Sequence, residues 1–284
     1  SFDVLGQPRP VGDKFAQRNG VTTTVVDRAA YAAVIDETVL AAGADLRLHT
    51  MLGDIRAQGE GWRLTLCGKE GLYDVSARVV IDASGDANAI SRAGLPVTRQ
   101  VERQPATLVL RLAGYDVDSL DFPAIQRAFD EQVTRGVLKK SDAGWNHGDI
   151  SPLIKWRGGN CIHVVAEATG YSAGRTNIEL EARRVMMRLI KFFRAQPGLE
   201  NFTVEWFAPE CGVRETVMIQ GRRTITFDDY YTGRLWPDAV CYSFYPLDVH
   251  APAGLDYRTL PQGVYPTIPI GAMVWGWVDN EKIT

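Results

Sequence analysis

Three short stretches carry residue types that can do chemistry. In Asp248-Val249-His250 a carboxylate and an imidazole stand two positions apart. An extended chain sets such a pair on one side, where the carboxylate orients the ring and raises its basicity. The pair is also half of a metal site, but no further ligand is spaced to complete it, and no metal is expected. In Cys211-Gly212-Val213-Arg214-Glu215-Thr216 a glycine ahead of an Arg-Glu pair permits a tight approach. There the guanidinium could grip an acid or phosphate with two donors, or close on Glu215 and simply hold a loop. The third stretch is Asp82-Ala83-Ser84-Gly85-Asp86, whose small residues let a backbone come close to a ligand.

The elements around these stretches must place them. Ala77 and Val79-Val80-Ile81 form a short apolar run closed by a turn signal, which predicts a central parallel strand buried on both faces. The Asp82–Asp86 turn then lies at its carboxyl end, where open α/β sheets bind ligands. Upstream, 1–20 reads as irregular and Val21–Val26 as a short strand. Asp27 caps a helix that runs to about Ala42, and Gly43 stops it. Asp45–Thr50 alternates as a half-exposed strand does, and Asp54–Val75 reads as a meander broken at Gly59-Glu60-Gly61 and Gly68–Gly71. Ala87–Ala93 is a short helix ending at Gly94.

Beyond 97–104 the composition changes and a second lobe begins. A strand is expected over Ala106–Leu112 and a helix over Phe122–Gly136. A loop containing Trp145-Asn146-His147-Gly148-Asp149 follows, and then a strand over Asn160–Glu167. Thr176 with Glu179 reads as a capping box before a long helix that ends near Gln196. Its apolar face is Leu180, Met186, Met187, Leu189, Ile190, Phe192 and Phe193, with Arg183, Arg184, Arg188 and Arg194 on a solvated side. Phe202–Ala208 is again strand.

At 284 residues with 45% hydrophobic and 23% charged residues, the chain has the makeup of a globular protein with room for two lobes. A net charge of −3 gives no reason to expect nucleic acid or an anionic membrane as partner. The four cysteines (Cys67, Cys161, Cys211, Cys241) are far apart and read as reduced, mostly buried thiols. The seven tryptophans suit core positions or pocket walls, with core expected for most. No apolar run is long enough to span a membrane. Compartment is not legible, cytoplasmic being preferred over secreted.

The segment VVIDASGDA is similar to the "IDATGD" segment of FAD-dependent oxidoreductases with the glutathione-reductase-type fold, with Ser84 in place of the usual Thr. GRTNIELEARR, CGVRET, RTITFDDYYTGRLWPDAV, YPLDVH, YPTIPIGAM and WVDN then follow in that family's order, over most of residues 21–280. The resemblance implies FAD as cofactor, with Ala83, Ser84, Gly85 and Asp86 lining it and Met51 and Leu52 beside the adenine; a plain αβ unit fits Met51 and Leu52 equally well. It also implies that Arg214, Asp248 and His250 lie in the flavin or substrate pocket. His250 is then the candidate acid or base, Asp248 its orienter, and Arg214 a binder of an anionic group.

Three departures accompany it. The family's G-x-G-x-x-G fingerprint and its closing "NLLVAGR" segment do not occur in these residues, and Val217-Met218 stand where the family has Arg-Arg. On that ground the chain is expected to correspond to the middle of a flavoenzyme and, taken alone, to hold FAD weakly or not at all.

The fold expected is α/β: part of an FAD/NAD(P)-binding sheet domain (1–100), a second α+β substrate or cap lobe (101–260), and a return toward the first domain (261–284). The function expected is flavin-dependent oxidation or reduction of a small organic substrate by hydride transfer. A second copy of the chain could cover an open sheet side, so a homo-oligomer is among the expected partners. Two alternatives stay open: a scaffold that binds no FAD, and a carbohydrate-active protein suggested by the tryptophans.

Overall fold

The computed structural model describes residues 9–10, 24–25, 27–99, 103–144, 148–243, 245–251 and 254–273. It is a mixed α/β structure with several small sheets, in which every strand pairing among the described residues is antiparallel. The chain forms two compact units. One holds the residues up to Pro96, Gln220–Tyr245 and those from Leu260 on; the other holds Val97–Ile219 and Pro246–Thr259. Residues 220–245 thus cluster with the first unit, whereas the sequence-based division put them in the second lobe.

In the first unit a helix spans Arg28–Ala41, as expected. Asp27 caps it by accepting a hydrogen bond from the Ala30 amide at 2.9 Å. The expected strand over Asp45–Thr50 is not one. Arg47 folds back onto Asp45 (2.7 Å), and His49 takes a positive φ of 55° that breaks any extended run. The meander is present as Met51–Gln58, Gly61–Gly68 and Gly71–Ala77, joined by two-residue turns. Arg9–Pro10, inside the stretch read as irregular, pairs with Thr24–Val25.

The expected buried strand over Val79–Asp82 is absent. This run is neither strand nor buried: Val79 is 76% exposed and Ile81 87% exposed. The last meander strand stops at Ala77, and among the described residues no strand pairs with 79–83. A strand buried on both faces requires pairing along its edges and cover on each side. Without those neighbours, apolar residues alone do not make one.

The second unit is built on the strand Ala106–Ala113, flanked on one side by Gly158–Val164 and on the other by Thr203–Phe207. The helix Phe122–Thr134 starts with Asp121 accepting from the Ala124 amide and with a proline in its first turn, both good helix starts. The long helix runs Ser172–Arg194. It begins before the expected capping box, because the Thr176 hydroxyl turns back onto the Ser172 carbonyl (2.9 Å) rather than ahead. Only glycine fits at Gly174, where a Cβ would run into the Ala168 carbonyl.

This helix and the sheet enclose one core. Leu108, Phe129, Ile162, Phe193 and Leu199 are fully buried in it. Phe193 packs on Phe202 with ring centroids 4.7 Å apart, and Phe129 meets Phe192 edge-on at 5.8 Å. Each such side chain contributes roughly 1.5–3 kcal/mol through removal from water. Leu180 and Met187, expected on the apolar face, are instead exposed; Ile178, Ala182 and Val185 take their places. Arg188 is not merely solvated. It grips Asp142, 1% exposed, through Nε (3.2 Å) and Nη2 (2.9 Å).

Cys161 and Cys211 are buried, but Cys67 and Cys241 are exposed. The tryptophans whose side chains are described (Trp62, Trp156, Trp206, Trp236) are all half-buried or exposed, so none belongs to the core. Trp145, Asn146 and His147 lie outside the described residues.

Candidate functional site

The Asp82–Asn88 turn is tied together by two side chains. One carboxylate oxygen of Asp82 accepts from the Ser84 hydroxyl (2.6 Å) and the Ser84 amide (3.0 Å). Its other oxygen accepts from the amides of Ala89 (2.8 Å) and Ile90 (3.2 Å), in the first turn of the short helix Asn88–Arg92. The Ser84 oxygen in turn accepts from the Asn88 (3.1 Å) and Asp86 (3.3 Å) amides. Amides that open a helix have no partner within it, and here the two side chains satisfy them. Partial burial pushes the Asp82 carboxyl up. The hydrogen bonds from the Ser84 hydroxyl and amide and from the Ile90 and Ala89 amides outweigh that, and its pKa falls below the usual carboxylate value.

The backbone of this turn is unusual. Gly85 has φ +73° and Ala87 φ +50°, two left-handed residues within three positions. For alanine that conformation costs about 1 kcal/mol or more and persists only when its surroundings enforce it. Ala83, Ser84 and Gly85 are exposed, and a Cβ built on Gly85 would meet nothing within 4 Å. The turn therefore offers an open face of backbone and small side chains, while the polar ends of Asp82 and Ser84 face inward to the helix.

In the second unit, the Arg214-Glu215 stretch is stitched to the start of the central strand. Thr107 and Gly212 exchange two backbone hydrogen bonds (2.9 and 2.8 Å). Arg214 does not bridge to Glu215. Its Nη1 donates to the Pro105 carbonyl (2.9 Å) and Thr107 Oγ1 (2.6 Å), and its Nη2 reaches Asn160 Oδ1 at 3.4 Å. Glu215 accepts from the amide and side chain of Gln104 (2.9 and 3.0 Å). Nothing in the sequence signalled these partners, which lie more than a hundred residues upstream or, for Asn160, 54 residues away. Next to them the Cys211 amide donates to Glu179 (2.6 Å), and burial, then the Glu179 carboxylate, pushes the Cys211 thiol up to about 12. A thiol raised that far is almost wholly protonated at neutral pH.

Asp248 and His250 lie on the strand Leu247–Ala251, which pairs with Gly254–Arg258 so that Asp248 stands opposite Tyr257 and His250 opposite Leu255. Their side chains lie outside what is described. Met51 and Leu52 open the first meander strand; Met51 is 71% exposed and Leu52 half-buried. The structure thus brings Ala83, Ser84, Gly85 and Asp86 together in one turn. One polar cluster the sequence reading missed was legible: Thr226-x-x-Asp229 is a capping box, and Asp229 also pairs with Arg234 at 2.7 Å. Those bonds, the one from Arg234 foremost, lower the Asp229 pKa to about 2.

Among the described residues no cluster of His, Cys, Asp or Glu could hold a metal ion, and no helix is long and apolar enough to cross a membrane. Against known proteins, the model of a family described as FAD dependent oxidoreductase matches residues 5–280. No curated protein matches the chain. Among solved structures it is similar to a p-nitrophenol 4-monooxygenase from Pseudomonas putida, at 14% identity and a TM-score of 0.36. The match covers 72% of this chain and 46% of that one, so the chain spans about half the length of that structure.

Proposed function

The chain belongs to the FAD-dependent oxidoreductase family, and we propose that it contributes to oxidation or reduction of a small organic substrate by hydride transfer. The observation that carries this reading is the Asp82–Asp86 turn, a pinned segment with an exposed face. What supports it is that the turn is accessible to a ligand: the side chains of Ala83 and Ser84 are small and exposed, Gly85 adds none, and a Cβ built there would meet nothing within 4 Å. FAD when bound supplies the hydride acceptor or donor, and the protein orients and tunes it.

In this reading the Ala83–Asp86 turn holds the cofactor, with Met51 and Leu52 beside its adenine. His250 moves a proton at the substrate, and Asp248 fixes the ring that does so. The extended strand Leu247–Ala251 supports that pairing, since positions two apart share a side of a strand. Arg214 binds an anionic group only while also holding Pro105, Thr107 and Asn160, which fixes its guanidinium in one orientation. The substrate partner, and any pairing with a second copy, are part of the same proposal.

Titration of these residues with FAD, followed by flavin fluorescence, tests the cofactor half; because the phosphate-binding fingerprint is not among them, the change is expected to be weak but saturable, and a purely linear one overturns it. For the catalytic half, His250→Ala is expected to lower turnover by about 10²–10⁴-fold. An effect on thermal stability alone would make His250 structural.

A further inference from the structure

Resting on that reading, we propose that Asp82 is the positioning residue of the cofactor turn, and that the turn meets its ligand with the backbone of Ala83–Gly85 rather than with side-chain oxygens. Asp82 has four donors on its two oxygens: the Ser84 hydroxyl and amide on one, the Ala89 and Ile90 amides on the other. The Ser84 hydroxyl donates to Asp82 and accepts from Asp86 and Asn88. Both groups that look most like ligand contacts in the sequence are thereby committed to holding the turn against the short helix. The first amides of that helix are committed as well, so it offers no anion site of its own.

What remains exposed is the 83–85 backbone, tied by these hydrogen bonds to the short helix; the strained residue is Ala87, just beyond it. Gly85 at φ +73° and Ala87 at φ +50° bracket Asp86, and the Asp82–Ser84 network spans both. A ligand that binds a preset backbone is spared the cost of ordering it. Loss of the Asp82 carboxylate should therefore weaken binding at a surface that the carboxylate does not touch.

The test compares wild type with D82N, S84A, S84T and a control, D74N. Asp74 is a carboxylate of the same unit, bonded to Thr65 on the meander at 2.6 Å, away from the turn's network. Two readouts are taken on the intact protein: amide hydrogen exchange at Asn88–Ile90 without ligand, and the dissociation constant for FAD. D82N is expected to speed exchange at Ala89 and Ile90 and to weaken FAD binding by about 10- to 100-fold, from loss of charge-assisted bonds that order the turn. S84A should act in the same direction. S84T keeps the hydroxyl and should restore both readouts, and D74N should move neither.

The inference is overturned if D82N speeds exchange but binds FAD within about twofold of wild type, since the carboxylate would then be structural only. It is also overturned if D74N weakens FAD binding as much as D82N, which would mark a general loss of stability. Wild-type protein that does not bind FAD, while D82N still speeds exchange, refutes the functional reading and with it the ligand half of the inference.

Discussion

Two apolar runs of similar composition meet opposite fates in this chain. Ala106–Leu112 (ATLVLRL) places Leu108 at 0% and Leu110 at 3% exposure; Ala77–Ile81 (ARVVI) leaves Val79 at 76% and Ile81 at 87%. The first run has a hydrogen-bonded strand on each side and the long helix Ser172–Arg194 in contact with it. The second has no strand partner among the described residues. A strand's burial belongs to its neighbours as much as to its own residues. The two units differ in the same way: most buried hydrophobic side chains lie in the second, while Ile55, Ala89 and Leu260, with the prolines Pro266 and Pro269, are buried in the first among the described residues.

The largest expected effects lie in the second unit. Phe193→Ala, at a fully buried position, should lower unfolding free energy by about 3–5 kcal/mol in a urea titration. Arg188→Ala strands the buried Asp142 carboxylate and should cost a similar amount, about 3–5 kcal/mol. In contrast, Ile81→Ala should stay within about 0.5 kcal/mol of wild type. A cost at Ile81 matching that at Phe193 would break the comparison, because it would require Ile81 to be covered.

A smaller effect is tied to pH. Asp82 and Asp229 both have folded pKa values below their unfolded ones, the latter about 2. Their contribution is therefore complete above the ordinary aspartate pKa of about 3.9 and is lost as pH falls through the folded values. Amide protection at Ala89 and Ile90 should fade below about pH 4 in wild type and show no such acid transition in D82N. A transition unchanged by D82N would assign it to another carboxylate.

The smallest effect is chemical. Burial pushes the Cys161 and Cys211 thiols up to about 12, whereas Cys67 and Cys241 are exposed. A thiol reagent should modify Cys67 and Cys241 in the native protein and reach the other two only on unfolding. Native labelling of Cys211 would show that the Arg214 segment opens.

Local signals in the sequence were reliable where they act locally. Asp27 and Gly43 set the ends of the first helix, the Gly-rich turns set the meander, and Ala87–Gly94 holds a short helix. The misses are of pairing, some local and some long-range. Thr176 looks like a helix cap until its hydroxyl is seen turning back to Ser172. Arg188 looks solvated because its partner Asp142 is 46 residues away. At the candidate site, the order of the motifs gave the family and the turn. That Ser84 is bound inward to Asp82 is a turn contact between residues two apart, which that spacing permits without requiring; that Arg214 holds Pro105, Thr107 and Asn160 is a pairing that no spacing encodes.

The claim that most depends on these pairings is that Asp82–Asp86 is a preset cofactor turn. Residue-resolved hydrogen exchange of the wild-type protein, with and without saturating FAD, tests it directly. The account predicts that FAD slows exchange across Ala83–Ile90 and leaves the already protected Ala106–Ala113 strand unchanged. Saturable FAD binding with no added protection anywhere in Ala83–Ile90 would contradict it.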